Sequence, residues 1–126
     1  AKDKASAHLK GGAKRILVNH PTYVVDATLD AMRQLARQGV YMEHSMCMWV
    51  PGSKFKFYDP EFLQQVIDAG TVDLTILGSD LGQAGNPRIV DGFRSVIGTC
   101  LDLGHSKEDI RKMTSTNAAT LMGLED

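Results

Sequence analysis

Residues able to bind a metal ion or move a proton stand at the ends of three short apolar runs. His20 follows Ile16-Leu17-Val18-Asn19, Glu43 and His44 follow Val40-Tyr41-Met42, and Asp80 lies just past Leu74-Thr75-Ile76-Leu77. Imidazole nitrogen and carboxylate oxygen are the donors that zinc and similar divalent ions take. A carboxylate held beside a reacting water also serves as a general base. These residues share no local ligand motif, so only a fold that gathers the three run ends would bring them to one centre. Each also has a structural reading. His20, before Pro21, would end a strand with its ring on a backbone carbonyl, and Asp80 would turn the chain with its carboxylate on nearby amides. Glu43 and His44 are adjacent, so on a strand their side chains point to opposite faces and only one of them can face a shared centre.

Other motifs carry less. Gly78, Gly82 and Gly85 precede a helical segment and suggest a phosphate cradle. Their spacing matches neither the Walker loop nor the dinucleotide fingerprint. No Gly-x-Ser-x-Gly elbow is present and neither Cys47 nor Cys100 has a histidine at a telling spacing, so nucleophile-type hydrolysis has little support. Met42, Met46 and Met48 read as core packing rather than a soft-metal site. His8 and His105 fall in helical or cap positions and read as solvated surface.

The elements that must position these groups follow a repeated pattern of apolar strand, turn and amphipathic helix closed by glycine. Strands are expected over Ile16–His20, Val40–His44 and Leu74–Leu77. The first helix takes Asp26 as N-cap, carries Leu29, Met32, Leu35 and Ala36 on one face and stops at Gly39. Asp59-Pro60-Glu61 opens the second, with Phe62, Leu63, Val66 and Ile67 as its apolar face and Gly70 at its end. Asn86-Pro87 is expected to cap a longer helix, with an apolar stripe from Ile89 through Phe93, Val96, Ile97 and Cys100 to Leu101. Ser106-Lys107-Glu108-Asp109 resembles a capping box with Asp in place of Glu, and a last short helix runs from Asn117 to Met122. Lys4 to Leu9 forms a helix ending at Gly11-Gly12, and Trp49 to Tyr58 is the most irregular stretch. Strand–helix alternation with nearly continuous apolar strands implies a parallel sheet covered by helices. The fold class is α/β, in one domain over residues 1–126.

The chain has 126 residues, 43% hydrophobic and 23% charged, with a formal net charge of −1. That composition excludes a disordered tail. The balanced charge argues against a general nucleic-acid binder. No apolar run reaches the roughly 20 residues of a membrane helix, and Ala1-Lys2-Asp3-Lys4 does not open a secretory signal. The two cysteines then read as reduced core residues, and the expected compartment is the cytoplasm.

The order Val-Asn-His20-Pro, then Gly39-Val-Tyr-Met-Glu43, then Leu-Thr-Ile-Leu-Gly-Ser-Asp80, followed by Asn117-Ala-Ala-Thr-Leu-Met-Gly-Leu, resembles the last three units of an amidohydrolase-superfamily barrel of the TatD-like or phosphotriesterase-like kind. The resemblance implies three parallel βα units from the C-terminal part of a (β/α)8 TIM barrel, incomplete as a barrel. It also implies a metal-dependent hydrolase in which an activated water attacks a carbonyl or phosphoryl centre of a small molecule. His20 would correspond to the sixth-strand metal ligand and Asp80 to the eighth-strand aspartate that binds metal and accepts the proton. His44 is a further candidate ligand, and Glu43 and Trp49 are candidate substrate contacts. The implied cofactor is a divalent ion, zinc first, only partly held by this chain because the first-strand His-x-His pair is absent from it. A full barrel needs about 250 residues, so the chain reads as a C-terminal portion. The rival reading is a non-catalytic module that binds a small anion at Asn86-Pro87 or serves assembly. Three strands leave open edges and a bare inner face, expected to carry Ile16, Val18, Val40, Met42, Leu74 and Ile76 in some alternation, and these imply a homo-oligomer.

Overall fold

The computed structural model describes residues 2–124. The three apolar runs form strands β1 (Leu17–Asn19), β2 (Tyr41–Ser45) and β3 (Thr75–Gly78). All pairing is parallel, in the order β1-β2-β3. Helices α1 (Lys2–Lys10), α2 (Leu29–Arg37), α3 (Pro60–Gly70) and α4 (Ile89–Asp102) precede or follow the strands. Helix α5 (Lys107–Arg111) passes through one π-helical turn (Lys112–Thr116) into α6 (Asn117–Met122). No helix among the described residues is long and apolar enough to cross a membrane.

Register sorts the side chains into two faces. Val18 lies beside Met42, Met42 beside Thr75, and His44 beside Leu77. This face meets the helices, where Met32 and Leu35 of α2, Leu63, Val66 and Ile67 of α3, and Val96 and Cys100 of α4 are buried with Met42 and Leu77. The other face carries Leu17 beside Tyr41, Asn19 beside Glu43, and Glu43 beside Ile76. The expected inner face is therefore corrected. Val18 and Met42 belong to the covered side, while Ile16, Val40 and Leu74 fall outside the strands. Of the expected residues Ile76 does lie on the open face; side chains alternate with a period of two, so the residues paired with Val18 and Met42 share the helix-covered side.

The helix boundaries show which local signals won. Asp26 is not the N-cap of α2. Thr28 is, with its Oγ1 accepting from the Ala31 N–H at 3.1 Å, and Asp26 occupies a left-handed turn with φ of 50°. Asn86-Pro87 does not cap α4, which starts after Arg88, because the Asn86 side chain is used elsewhere: its Oδ1 accepts the Lys54 N–H at 3.0 Å. The apolar stripe of α4 is narrower than its sequence, since Ile89 and Leu101 are exposed. Asp59 and Pro60 open α3 as expected, and Gly39, at φ of 73°, ends the α2 segment. The Ser106–Asp109 capping box closes in both directions, Ser106 Oγ accepting from Asp109 N–H and Asp109 Oδ2 from Ser106 N–H. His105 is bonded to Gln64 Oε1 at 2.9 Å rather than left to solvent, whereas His8 is exposed.

The sheet edges are less bare than three strands alone imply. Helix α1 lies alongside α2, with Ser6 Oγ donating to Gln38 Oε1, and it faces β1 across a cleft. At the other edge Asn117 Nδ2 donates to the carbonyls of Val72 and Thr75, both at 2.7 Å, fastening the C-terminal helical segment to β3.

Candidate functional site

A cavity of about 140 Å³ opens at the carboxyl ends of the strands, where parallel α/β folds keep their chemistry. His20, one residue past β1, and Asp80, two past β3, both line it. Each takes a left-handed backbone, with φ of 49° at His20 and 47° at Asp80. Non-glycine residues seldom adopt this conformation, although Asn, Asp and His tolerate it best. Two such residues ending two strands at one cavity turn the chain sharply where the side chains are needed.

His20 is held from both sides. Its backbone N–H donates to the Glu43 carbonyl, and its Nδ1 shares a 2.6 Å hydrogen bond with the Ser45 hydroxyl. In the tautomer where Nδ1–H donates to Ser45 Oγ, the lone pair of Nε2 is free to bind a ligand. Asp80 is fixed in a similar way. Gln83 Nε2 donates to Oδ1 at 3.3 Å, and the Cys47 thiol points to Oδ2 at 3.9 Å. Burial, and then the Asp80 carboxylate, push the Cys47 thiol up to about 11, so at neutral pH it is a protonated donor and a poor nucleophile. The Cys47 N–H also donates to the Ser79 carbonyl, joining the end of β2 to the end of β3.

The other candidates lie elsewhere. Glu43 sits on the open face above Gly78, and a Cβ at position 78 would collide with its carboxylate, so glycine there makes room for the side chain. His44 is on the helix-covered face, 1% exposed, with neither ring nitrogen hydrogen-bonded. Its ring meets Trp49 edge-on, and burial lowers its pKa to about 4. Trp49 is buried too. Its Nε1–H donates to the Asp59 carbonyl and its ring packs on Tyr58 and Phe62, so it anchors the loop instead of lining the cavity. The structure therefore brings together His20 and Asp80 and leaves Glu43, His44 and Trp49 out of their cavity.

The cavity also uses residues that motif reading passed over: Cys47, Gln83, and the apolar group Tyr23, Val24, Met48 and Phe55. Ser45, two residues after Glu43 and hence on the same strand face, joins the site through its hydrogen bond to His20. Among the described residues, no three His, Cys, Asp or Glu side chains lie close enough to hold a metal ion. His20 and Asp80 suit a divalent ion in donor chemistry and offer two of the three or four protein ligands that zinc takes. Comparisons of the chain with protein-family models, curated proteins and solved structures find no match, so the functional reading rests on the geometry of this site.

Proposed function

We propose that this chain is the C-terminal portion of a metal-dependent hydrolase of the amidohydrolase superfamily, built on a (β/α)8 barrel and acting on a small molecule. The observation that supports the reading most is the pairing of His20 and Asp80. They come from the first and third strands, share the rare left-handed backbone, and line one cavity at the carboxyl end of a parallel sheet. In this reading His20 Nε2 and an Asp80 oxygen hold a divalent ion together with donors from outside this chain. Such an ion, when bound, supplies the Lewis acidity that lowers the pKa of water to about 7. Asp80 accepts the proton of the attacking water, with Gln83 keeping the carboxylate oriented. Ser45 fixes the ring of His20. The two unpaired, buried thiols suit a reducing, cytoplasmic setting.

Zinc titration of the purified chain by calorimetry tests this assignment. Two donors make a weak site, so binding is expected to be weak and to disappear in both His20→Ala and Asp80→Asn. Zinc held tightly and stoichiometrically, zinc held equally by both variants, or no uptake by the unmodified chain would each overturn it.

A further inference from the structure

The cavity that holds His20 and Asp80 is mostly apolar away from those two residues. Tyr23, Val24, Met48 and Phe55 form its wall, and among the described residues lining it there is no lysine or arginine. Lys54, in the adjoining loop, is engaged elsewhere, its Nζ donating to the Ala84 carbonyl at 2.6 Å. In the metal-free chain the one formal negative charge among the described residues lining the cavity is the carboxylate of Asp80, which repels an anionic group entering near it. Tyr23, which lines the cavity, stacks on Phe57 with ring centroids 5.9 Å apart and an interplanar angle of 17°, and the two remain 54% and 58% exposed. Size sets a further limit. At about 140 Å³, the space is close to the roughly 150 Å³ apolar cavity that accommodates a single benzene ring.

From these observations we infer that the cavity selects a neutral substrate carrying one aryl ring or a short branched alkyl group beside the bond presented to His20 and Asp80. Uncharged aryl amides and esters fit this wall; in the metal-free chain phosphate monoesters do not. Tyr23 is the specificity-determining residue, because it lines the cavity and its ring is held by the stack with Phe57. The inference rests on the hydrolase reading for the bond acted upon, while the preference for a neutral aryl group is a property of the cavity itself.

The test uses binding rather than turnover, on the metal-free chain at neutral pH. Acetanilide serves as the neutral aryl amide and phenyl phosphate as the anionic aryl probe, each followed by ligand-observed and protein-observed NMR titration. Acetanilide is expected to shift resonances of Tyr23, Val24 and Phe55 and to saturate, while phenyl phosphate leaves them unmoved. Tyr23→Ala removes an exposed side chain, and loss of one aromatic contact should weaken acetanilide binding by about three- to tenfold. Phe57→Ala, one step removed, should weaken it less. Phenyl phosphate binding as well as acetanilide, acetanilide leaving those resonances unmoved, or Tyr23→Ala binding it unchanged would each overturn the inference. Failure of the hydrolase reading appears separately, as zinc uptake insensitive to His20 and Asp80 while acetanilide still binds.

Discussion

His44 carries an imidazole into the core with neither nitrogen bonded and the edge of Trp49 against its ring. Burial lowers its pKa from 6.5 to about 4, so the folded chain keeps it neutral at pH values where an unfolded chain would protonate it. The unfolded state then binds more protons between those two values, and stability falls as pH drops from 6.5 toward 4 and is level above 6.5. The full loss is about 3 kcal/mol, from 1.36 kcal/mol per unit of pKa. Urea unfolding at about pH 7 and about pH 5 should show this slope, and His44→Leu should flatten it; a variant with the same slope would assign the acid sensitivity to other groups. Asp80 belongs to the same scale. In any active form that contains this chain, Asp80→Asn retains shape but removes the base and the negative charge, so kcat should fall by about 10²–10⁴. Near-normal turnover in that variant would remove Asp80 from the proton transfer.

Between elements, the joint most exposed to a single change is the one made by Asn117. Its Nδ2 reaches the carbonyls of Val72 and Thr75 from the start of α6, directly after the π-helical turn, and it is 5% exposed. A π-turn inside a helix shifts the following residues around the axis, and here it is followed at once by the residue that grips β3. Asn117→Ala leaves both carbonyls with one partner fewer in a buried setting, and a cost of about 2–3 kcal/mol is expected. Chemical denaturation would measure it. A loss below about 0.5 kcal/mol would mean that water replaces the amide without penalty. Ser106→Ala, which opens the capping box at the other end of the same helical segment, should cost about 1 kcal/mol, a typical N-cap value.

For the whole molecule, the unbalanced feature is the sheet face opposite the one packed on the helices among the described residues. Leu17 is 39% exposed there, beside half-buried Tyr41, while Ile76 on the same face is 8% exposed. The edges are flanked by α1 and by the C-terminal helical segment, so association is expected to use this face and not the edges. A two-fold dimer is the simplest closed arrangement. Light scattering on the purified chain is expected to give twice the monomer mass, and Leu17→Glu should shift it toward monomer. A single monomeric species at micromolar concentration would remove the open-face argument.

Patterns with a short physical range were legible from the residues alone. The alternation of apolar runs and amphipathic segments specified parallel βα units, since such strands must be covered on at least one face by helices. Ser106–Asp109 declared its helix start because a capping box uses groups only three residues apart, and Asp59-Pro60 did so because proline fits the first helical turn and needs no side-chain cap. Asp26 and Asn86 carried equally good local signals and lost, Asp26 to a cap at Thr28 and Asn86 to a hydrogen bond with Lys54, 32 residues away. The strand ends at His20 and Asp80 could be named in advance, but their meeting at one cavity could not. It depends on strand register, on two left-handed turns and on the Ser45 and Cys47 contacts across β2. Register also decided that His44 went into the core and Glu43 to the open face, because on a strand one residue of slip exchanges the two sides.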